Sequence, residues 1–249
     1  NISCLLKYLT SFALYYKLYK EGVSSLHPQQ FDNSIQGSDI MKRSHVSSAV
    51  VRRLPRYYRH LDNLYHSGVE RISSKALGHS LGLTASQIRQ DLSCFGEFGQ
   101  QGYGYNVETL REEIAQILGM NQGHTAVIIG AGNLGRALIE NFHFSLNGFH
   151  LLAAFDVRPE VVGSQIAVTP ILHIDQMKEF CSQNPVSVGV LTVPKDAAVM
   201  MAERLVRAGV RGIWNFTNMD LAVSDPSVVV ENVHFGDSLL ALSYKISEE

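Results

Sequence analysis

The chain has 249 residues, 45% of them hydrophobic and 18% charged, a globular composition long enough for one large or two small domains. Its three cysteines (Cys4, Cys94 and Cys181) share no close spacing, which argues against a disulfide framework or a zinc site and leaves a reducing cytoplasm as the simplest compartment. The formal net charge of −2 hides an asymmetry: residues 41–75 carry eight Lys/Arg against two acids, whereas the chain from Gly123 onward carries eight against thirteen, so the N-terminal part is the one suited to face a polyanion.

The first forty residues differ from the rest. Cys4 to Tyr19 is apolar and aromatic, but Lys7 and Lys17 interrupt it, and it is too short to span a membrane. It also lacks a small-residue cleavage site where a signal peptide needs one. Met41 reads as a natural start and residues 1–40 as an upstream extension, expected to be poorly ordered or loosely docked.

Residues 47–67 place Val50, Val51, Leu54, Tyr58, Leu61 and Leu64-Tyr65 mostly three or four apart, the period of an amphipathic helix, with Pro55 near its first turn or at a kink and Gly68 at its end. Ser73-Ser74 opens a second helix, Lys75 to Ser80, stopped by Gly82. Thr84 opens a third, Ala85 to Phe95, with Gln87 three residues on as in a capping box. Two short helices around Leu81-Gly82-Leu83 make a helix-turn-helix. Glycine and aromatic residues then alternate through Gly96–Tyr105, which predicts a two-stranded ribbon, the wing of a winged helix. A helix from Val107 to Leu118 and a short linker complete this part.

The apolar run Thr125–Ile129 leads directly into Gly130-Ala131-Gly132-Asn133-Leu134-Gly135 and then a helical pattern, and that context turns a weak glycine motif into a dinucleotide-binding fingerprint. The first glycine permits the tight turn, the second admits a pyrophosphate to the backbone, and the third lets helix and strand pack closely. Helix N-terminal amides then face the phosphates. The next strand, Leu151–Phe155, ends in Asp156, placed to bind a ribose diol and to repel a 2′-phosphate; Arg158 weakens that preference for NAD(H) over NADP(H). Beyond it, strands near Ile166–Val168, Val186–Leu191, Gly212–Phe216 and Val228–Val230 alternate with helices near Ile174–Gln183 and Lys195–Ala208, the pattern of a parallel sheet. A last amphipathic helix spans Ser238 to Ile246. The fold class is therefore α/β: a winged-helix domain over 41–122, then a Rossmann-like doubly wound parallel sheet over 123–236.

Two chemistries follow. The second helix of a helix-turn-helix meets base edges in the major groove, and here it offers Ser86, Gln87, Arg89 and Gln90, with Gln suited to adenine and Arg to guanine. Lys42, Arg43, Arg52, Arg53 and Arg56 are candidates for phosphates, and Gln100, Gln101 and Tyr103 for the wing tip. In the sheet domain, ligands bind beyond the carboxyl ends of strands, which adds Thr192-Val193-Pro194, Asn215 and Phe216 to the glycine motif, Asp156 and Arg158. No substrate domain, proton-transfer residue or metal cluster stands out, so the dinucleotide is expected to be sensed rather than consumed. The alternatives are a small NAD-dependent oxidoreductase and a CoA- or nucleotide-binding accessory subunit.

From about Ser47 to Ile246 the chain resembles the Rex family of bacterial redox-sensing transcriptional repressors. The resemblance is carried by Thr84–Leu92, Phe95-Gly96 with Gly102–Tyr105, Val127–Gly135, Leu191–Pro194 and Gly212–Phe216, in that order. It implies a homodimer that binds palindromic double-stranded operator DNA without a membrane partner. NADH, with NAD competing and no metal, would close the dimer and release the DNA. It also implies that the terminal segment, 237–249, is a helix exchanged between subunits. By position, Tyr105 resembles the tyrosine that senses the nicotinamide and Arg59 the arginine that shares its hydrogen-bond network. His234, followed by Asp237, stands where relatives carry an acid, which would make the switch sensitive to pH.

Overall fold

The computed structural model describes residues 46–99 and 102–248, so the expectations for residues 1–40, Lys42, Arg43, Gln100 and Gln101 lie outside the described residues. The first helix, α1 (Ser48–His66), is opened by the Ser47 hydroxyl, which accepts the Val50 amide at 3.4 Å. Pro55 falls in its interior rather than its first turn. Its ring faces solvent there, and the helix continues past it with one amide fewer. The helix closes with paired bonds from the Gly68 amide to Tyr65 O (3.0 Å) and the Val69 amide to Leu64 O (3.0 Å), a turn that needs the left-handed backbone of Gly68 (φ +74°).

A short strand, β1 (Arg71–Ile72), precedes α2 (Ser74–Leu81) and α3 (Ala85–Ser93). Ser73 and Thr84 cap the two helices, accepting the amides of Ala76 (3.0 Å) and Gln87 (3.1 Å). Only half of the expected capping box forms, because the Gln87 amide group turns away to Asp91. The expected ribbon within Gly96–Tyr105 is also corrected. The strand after α3, β2 (Tyr105–Asn106), pairs antiparallel with β1, which lies before α2. Gly104 makes that crossing possible: a Cβ there would stand 2.6 Å from Ile72 O. Two-residue strands are too short to alternate visibly, so the sequence pattern could not locate the partner. Helix α4 (Val107–Ile117) follows, and its Leu110 and Ile114 join Leu54, Tyr57, Leu61, Leu77, Ile88 and Leu92 in one apolar core.

The second half is a seven-stranded sheet. In chain order its elements are β3 (His124–Ile129), α5 (Asn133–Asn141), β4 (Phe149–Asp156), β5 (Gln165–Ile166), β6 (Thr169–His173), α6 (Met177–Gln183), β7 (Val188–Leu191), α7 (Lys195–Arg207), β8 (Gly212–Asn215), β9 (Val229–Asn232) and α8 (Phe235–Ser247). The strand order is β5-β6-β4-β3-β7-β8-β9, parallel throughout except for the β5–β6 hairpin. The expected strand near Ile166–Val168 is thus divided: Ile166 ends β5, Ala167 (φ +50°) and Val168 form the hairpin's turn, and the parallel strand begins at Thr169. The order reverses between β3 and β7, which creates the crevice that open α/β sheets use for ligands. One face, with Val127, Ile129 and Phe155, is covered by Met177 of α6 and by Met201 and Leu205 of α7. On the other, α5 and a 3₁₀ turn (Phe144–Asn147) pack over Ile128, Ala154 and Ile171. Helix α8 begins three residues earlier than the periodicity indicates and buries none of its residues. No helix among the described residues is long and apolar enough to cross a membrane.

Candidate functional site

The strand ends build the crevice. Gly130 leaves β3 with φ +101°, and a Cβ there would meet Thr192 O at 2.8 Å. A Cβ on Gly135 would lie 1.9 Å from Gly130 O, so only glycine allows α5 to start this close to the strand it follows. The Thr192 hydroxyl, at the end of β7, donates at 2.7 Å to Gly130 O and holds the turn shut. Gly132 is different: a Cβ there would meet nothing within 4 Å. It occupies the N-cap of α5 with no side chain to satisfy the helix amides. Open space over uncapped amides at a helix N-terminus is what a pyrophosphate requires, so these residues fit a dinucleotide.

Asp156 closes the neighbouring strand end and is 7% exposed. Each carboxylate oxygen takes two donors: Oδ1 the amide (2.9 Å) and Nε (3.0 Å) of Arg158, and Oδ2 the Ala131 amide (2.7 Å) and Arg158 Nη2 (3.0 Å). Burial pushes the carboxyl's pKa up, but the Arg158 and Ala131 bonds outweigh it and hold the group below the ordinary carboxylate value. The acid therefore stays ionised and ties the glycine-rich turn to β4. Asn215 does not present itself as a ligand. It is 1% exposed, and its side chain bonds Met219 O, Asn232 Oδ1 and the Thr217 amide at 2.8–3.0 Å, which organises the loop after β8. Phe216 packs against Trp214, ring centroids 4.5 Å apart. Val193 and Pro194 connect β7 to α7, with Pro194 at that helix's N-cap.

The helical half presents a second surface. Ser86, Arg89 and Gln90 are exposed on α3, and Arg89 Nη1 donates to Ser74 Oγ at 3.0 Å. Exposed Arg52 and Arg56 lie on α1, where Arg56 reaches Leu81 O at 2.8 Å, and Tyr103 is 71% exposed. Arg53, expected at a phosphate, is turned inward: Nε and Nη2 contact Asp91 at 2.6 and 2.8 Å. Asp91 is fully buried and also accepts from the Tyr57 hydroxyl and from Gln87 Nε2 (2.7 Å). Burial raises this carboxyl's pKa, yet the Arg53, Tyr57 and Gln87 bonds prevail and lower it. Burial together with Asp91 pushes the Tyr57 phenol well up. The sequence reading missed Asp91, though a signal existed: an acid sits between Ile88 and Leu92 on the apolar stripe of α3, where a charge must have a partner.

The three expected switch residues are not joined by hydrogen bonds among the described residues. Tyr105 is buried in the helical core, where burial raises its pKa. Arg59 edges an apolar cavity of about 440 Å³ that also touches Tyr58, Phe142, Val190, Trp214 and Glu231. His234 occupies the N-cap position of α8 without capping it, its ring meeting Asp220 Oδ1 at 3.0 Å. No cluster of metal-ligating side chains occurs among the described residues.

Comparison with known proteins matches residues 45–93 to the family described as "Putative DNA-binding protein N-terminus" and residues 121–219 to the CoA binding domain. The redox-sensing transcriptional repressor Rex of Thermoanaerobacter pseudethanolicus is 49% identical over 210 residues, covering 84% of this chain and 93% of that protein. The repressor of the same name from Clostridium botulinum strain Hall is 49% identical over 207 residues, covering 83% and 98%. Among solved structures, RSP in complex with β-NAD+ and operator DNA superposes with a TM-score of 0.77 at 48% identity, covering 82% of this chain and 93% of that one. RSP in complex with β-NADH gives 0.76 at 45% identity, covering 82% and 95%.

Proposed function

The chain belongs to the Rex family of redox-sensing transcriptional repressors, and we propose that it binds palindromic operator DNA through α3 and leaves it when NADH fills the crevice at Gly130–Gly135. Membership makes it a regulator rather than an enzyme, which sets aside the oxidoreductase and accessory-subunit alternatives. The observation that carries the dinucleotide assignment is the uncapped start of α5 beneath open space at Gly132. In this reading Gly130–Gly135 bind the pyrophosphate and Asp156 the adenosine ribose. Thr192, Val193, Pro194 and Phe216 line the nicotinamide side, while Asn215 organises the loop after β8. The dinucleotide alters which arrangement of the molecule is favoured; a ligand moves such an equilibrium only by binding its two states unequally.

Ser86, Arg89 and Gln90 are assigned to base edges, while Gln87, expected there too, is held inward by Asp91; Arg52, Arg56 and Tyr103 are assigned to the backbone, with Lys42, Arg43 and Gln101 as further candidates. The domain limits follow the chemistry: 41–122 reads DNA, 123–236 holds the dinucleotide, and 237–249 joins two copies. The apolar side of α8 and the cavity beside Arg59 are complementary halves of that dimer contact, with Arg59, Tyr105 and His234 brought together only in the pair. A regulator of this kind works where the chromosome is, in the cytoplasm.

The test is a titration of the full chain with NADH, followed by nucleotide fluorescence, beside Gly132→Val. A Cβ at residue 132 has open space within 4 Å, and the backbone there (φ −71°) suits any residue, so the variant should melt like the wild type. Wild type saturates; the variant loses affinity by about tenfold or more, as a lost charged hydrogen bond predicts. Equal affinities would remove the pyrophosphate from this turn.

A further inference from the structure

We propose that Arg158 is the specificity-determining residue at the adenosine end of the crevice, and that it lets the site accept a 2′-phosphorylated dinucleotide, NADPH, alongside NADH. The proposal rests on reading the crevice as a dinucleotide site. An acid at the end of the second strand normally selects against NADPH because it repels the extra phosphate. Here that acid is already saturated. Two donors reach each oxygen of Asp156, and one donor on each comes from the Arg158 fork, at 3.0 Å in both cases. A carboxylate offers about four lone-pair positions, so a ribose diol gains the oxygens only by displacing the guanidinium. The amides of Ala131 and Arg158 do not move with it: they belong to the backbone and keep half of the acceptor capacity occupied.

The consequence differs for the two dinucleotides. For NADH, displacement of the guanidinium opposes binding. For NADPH, the 2′-phosphate arrives where a planar, permanently charged fork is tethered two residues from the ribose acid, and a fork of this kind matches a phosphate in two parallel hydrogen bonds. The Arg158 side chain is 48% exposed, whereas that of Asp156 is 7% exposed, so the cation is free to swing while the acid is not. The site therefore keeps its ribose acid and carries beside it a cation that cancels the acid's selectivity.

Calorimetric titration of the full chain with NADH and with NADPH separates the outcomes, using wild type, Arg158→Ala and Arg158→Lys with melting midpoints as a folding control. Wild type binds both. Arg158→Ala loses NADPH affinity by about tenfold or more while NADH affinity is kept or improved. Arg158→Lys, which keeps a charge without the fork, gives an intermediate ratio of the two affinities. Wild type that takes NADH but not NADPH overturns the proposal, as does a ratio unchanged in both variants. Wild type that binds neither dinucleotide defeats the reading of the crevice itself, and the proposal with it.

Discussion

At Asp91 one carboxylate ties α3 to α1. Removing it leaves the Arg53 guanidinium and the Tyr57 hydroxyl without their shared acceptor in a core that has little water to offer. Because the Arg53 side chain is 24% exposed, the lower end of the range for broken buried pairs applies: Asp91→Ala should cost about 3 kcal/mol, read as a reduced urea midpoint. The acidity works in a definite direction. Asp91's folded-state pKa lies below the ordinary 3.8, so its contribution is complete above that value and disappears as pH falls beneath it. The stability gap between wild type and Asp91→Asn should therefore narrow on acidification from pH 6 to below 3.8; a constant gap would mean that packing, not charge, makes the difference. Arg89 poses the complementary question. It is exposed at the front of α3, restrained only by Ser74, and Arg89→Ala should weaken operator binding by roughly 1–3 kcal/mol if it reads a guanine. Equal weakening on random DNA in an anisotropy titration would reassign it to phosphate. Sequence placed both Arg89 and Arg53 at the DNA, the first at a base and the second at a phosphate. Only the fold tells them apart, because which side of a helix meets a buried acid depends on the neighbouring helix.

Among the elements, α8 stands out as a helix none of whose described residues is buried. Phe235, Leu239, Leu240, Leu242, Tyr244 and Ile246 are each at least 55% exposed, and covering each would contribute about 1.5–3 kcal/mol. A patch of that kind marks an association surface. Leu240→Asp should accordingly convert dimer to monomer in sedimentation velocity, and a variant that remains dimeric would show that another surface holds the pair. The periodicity of α8 was plain in the sequence; that its apolar side points away from its own domain was not, since amphipathicity gives a face but no partner. The parallel sheet was equally plain, because its strands are buried apolar runs separated by helices. The β1–β2 pairing was not, because it depends on a glycine crossing close to a strand more than thirty residues earlier.

At the scale of the molecule, a basic helix-turn-helix and an acidic dinucleotide sheet share one chain, and each half is legible alone. The coupling between them is not: Arg59 lines a cavity, Tyr105 lies in the helical core and His234 pairs with Asp220, and none hydrogen-bonds another among the described residues, so the proposed switch needs a second copy to join them. On the proposed reading, Gly130–Gly135 hold reduced and oxidised dinucleotide alike, and discrimination then belongs to the nicotinamide end and to the dimer. Moving a repressor from almost wholly bound to almost wholly free requires the ligand to prefer the free form by about 10⁴-fold. The most direct measurement is a gel shift of the full chain on palindromic operator DNA, with NADH and NAD titrated separately. NADH should dissolve the complex while NAD at the same concentration leaves it in place; a complex that persists at saturating NADH would contradict the switch.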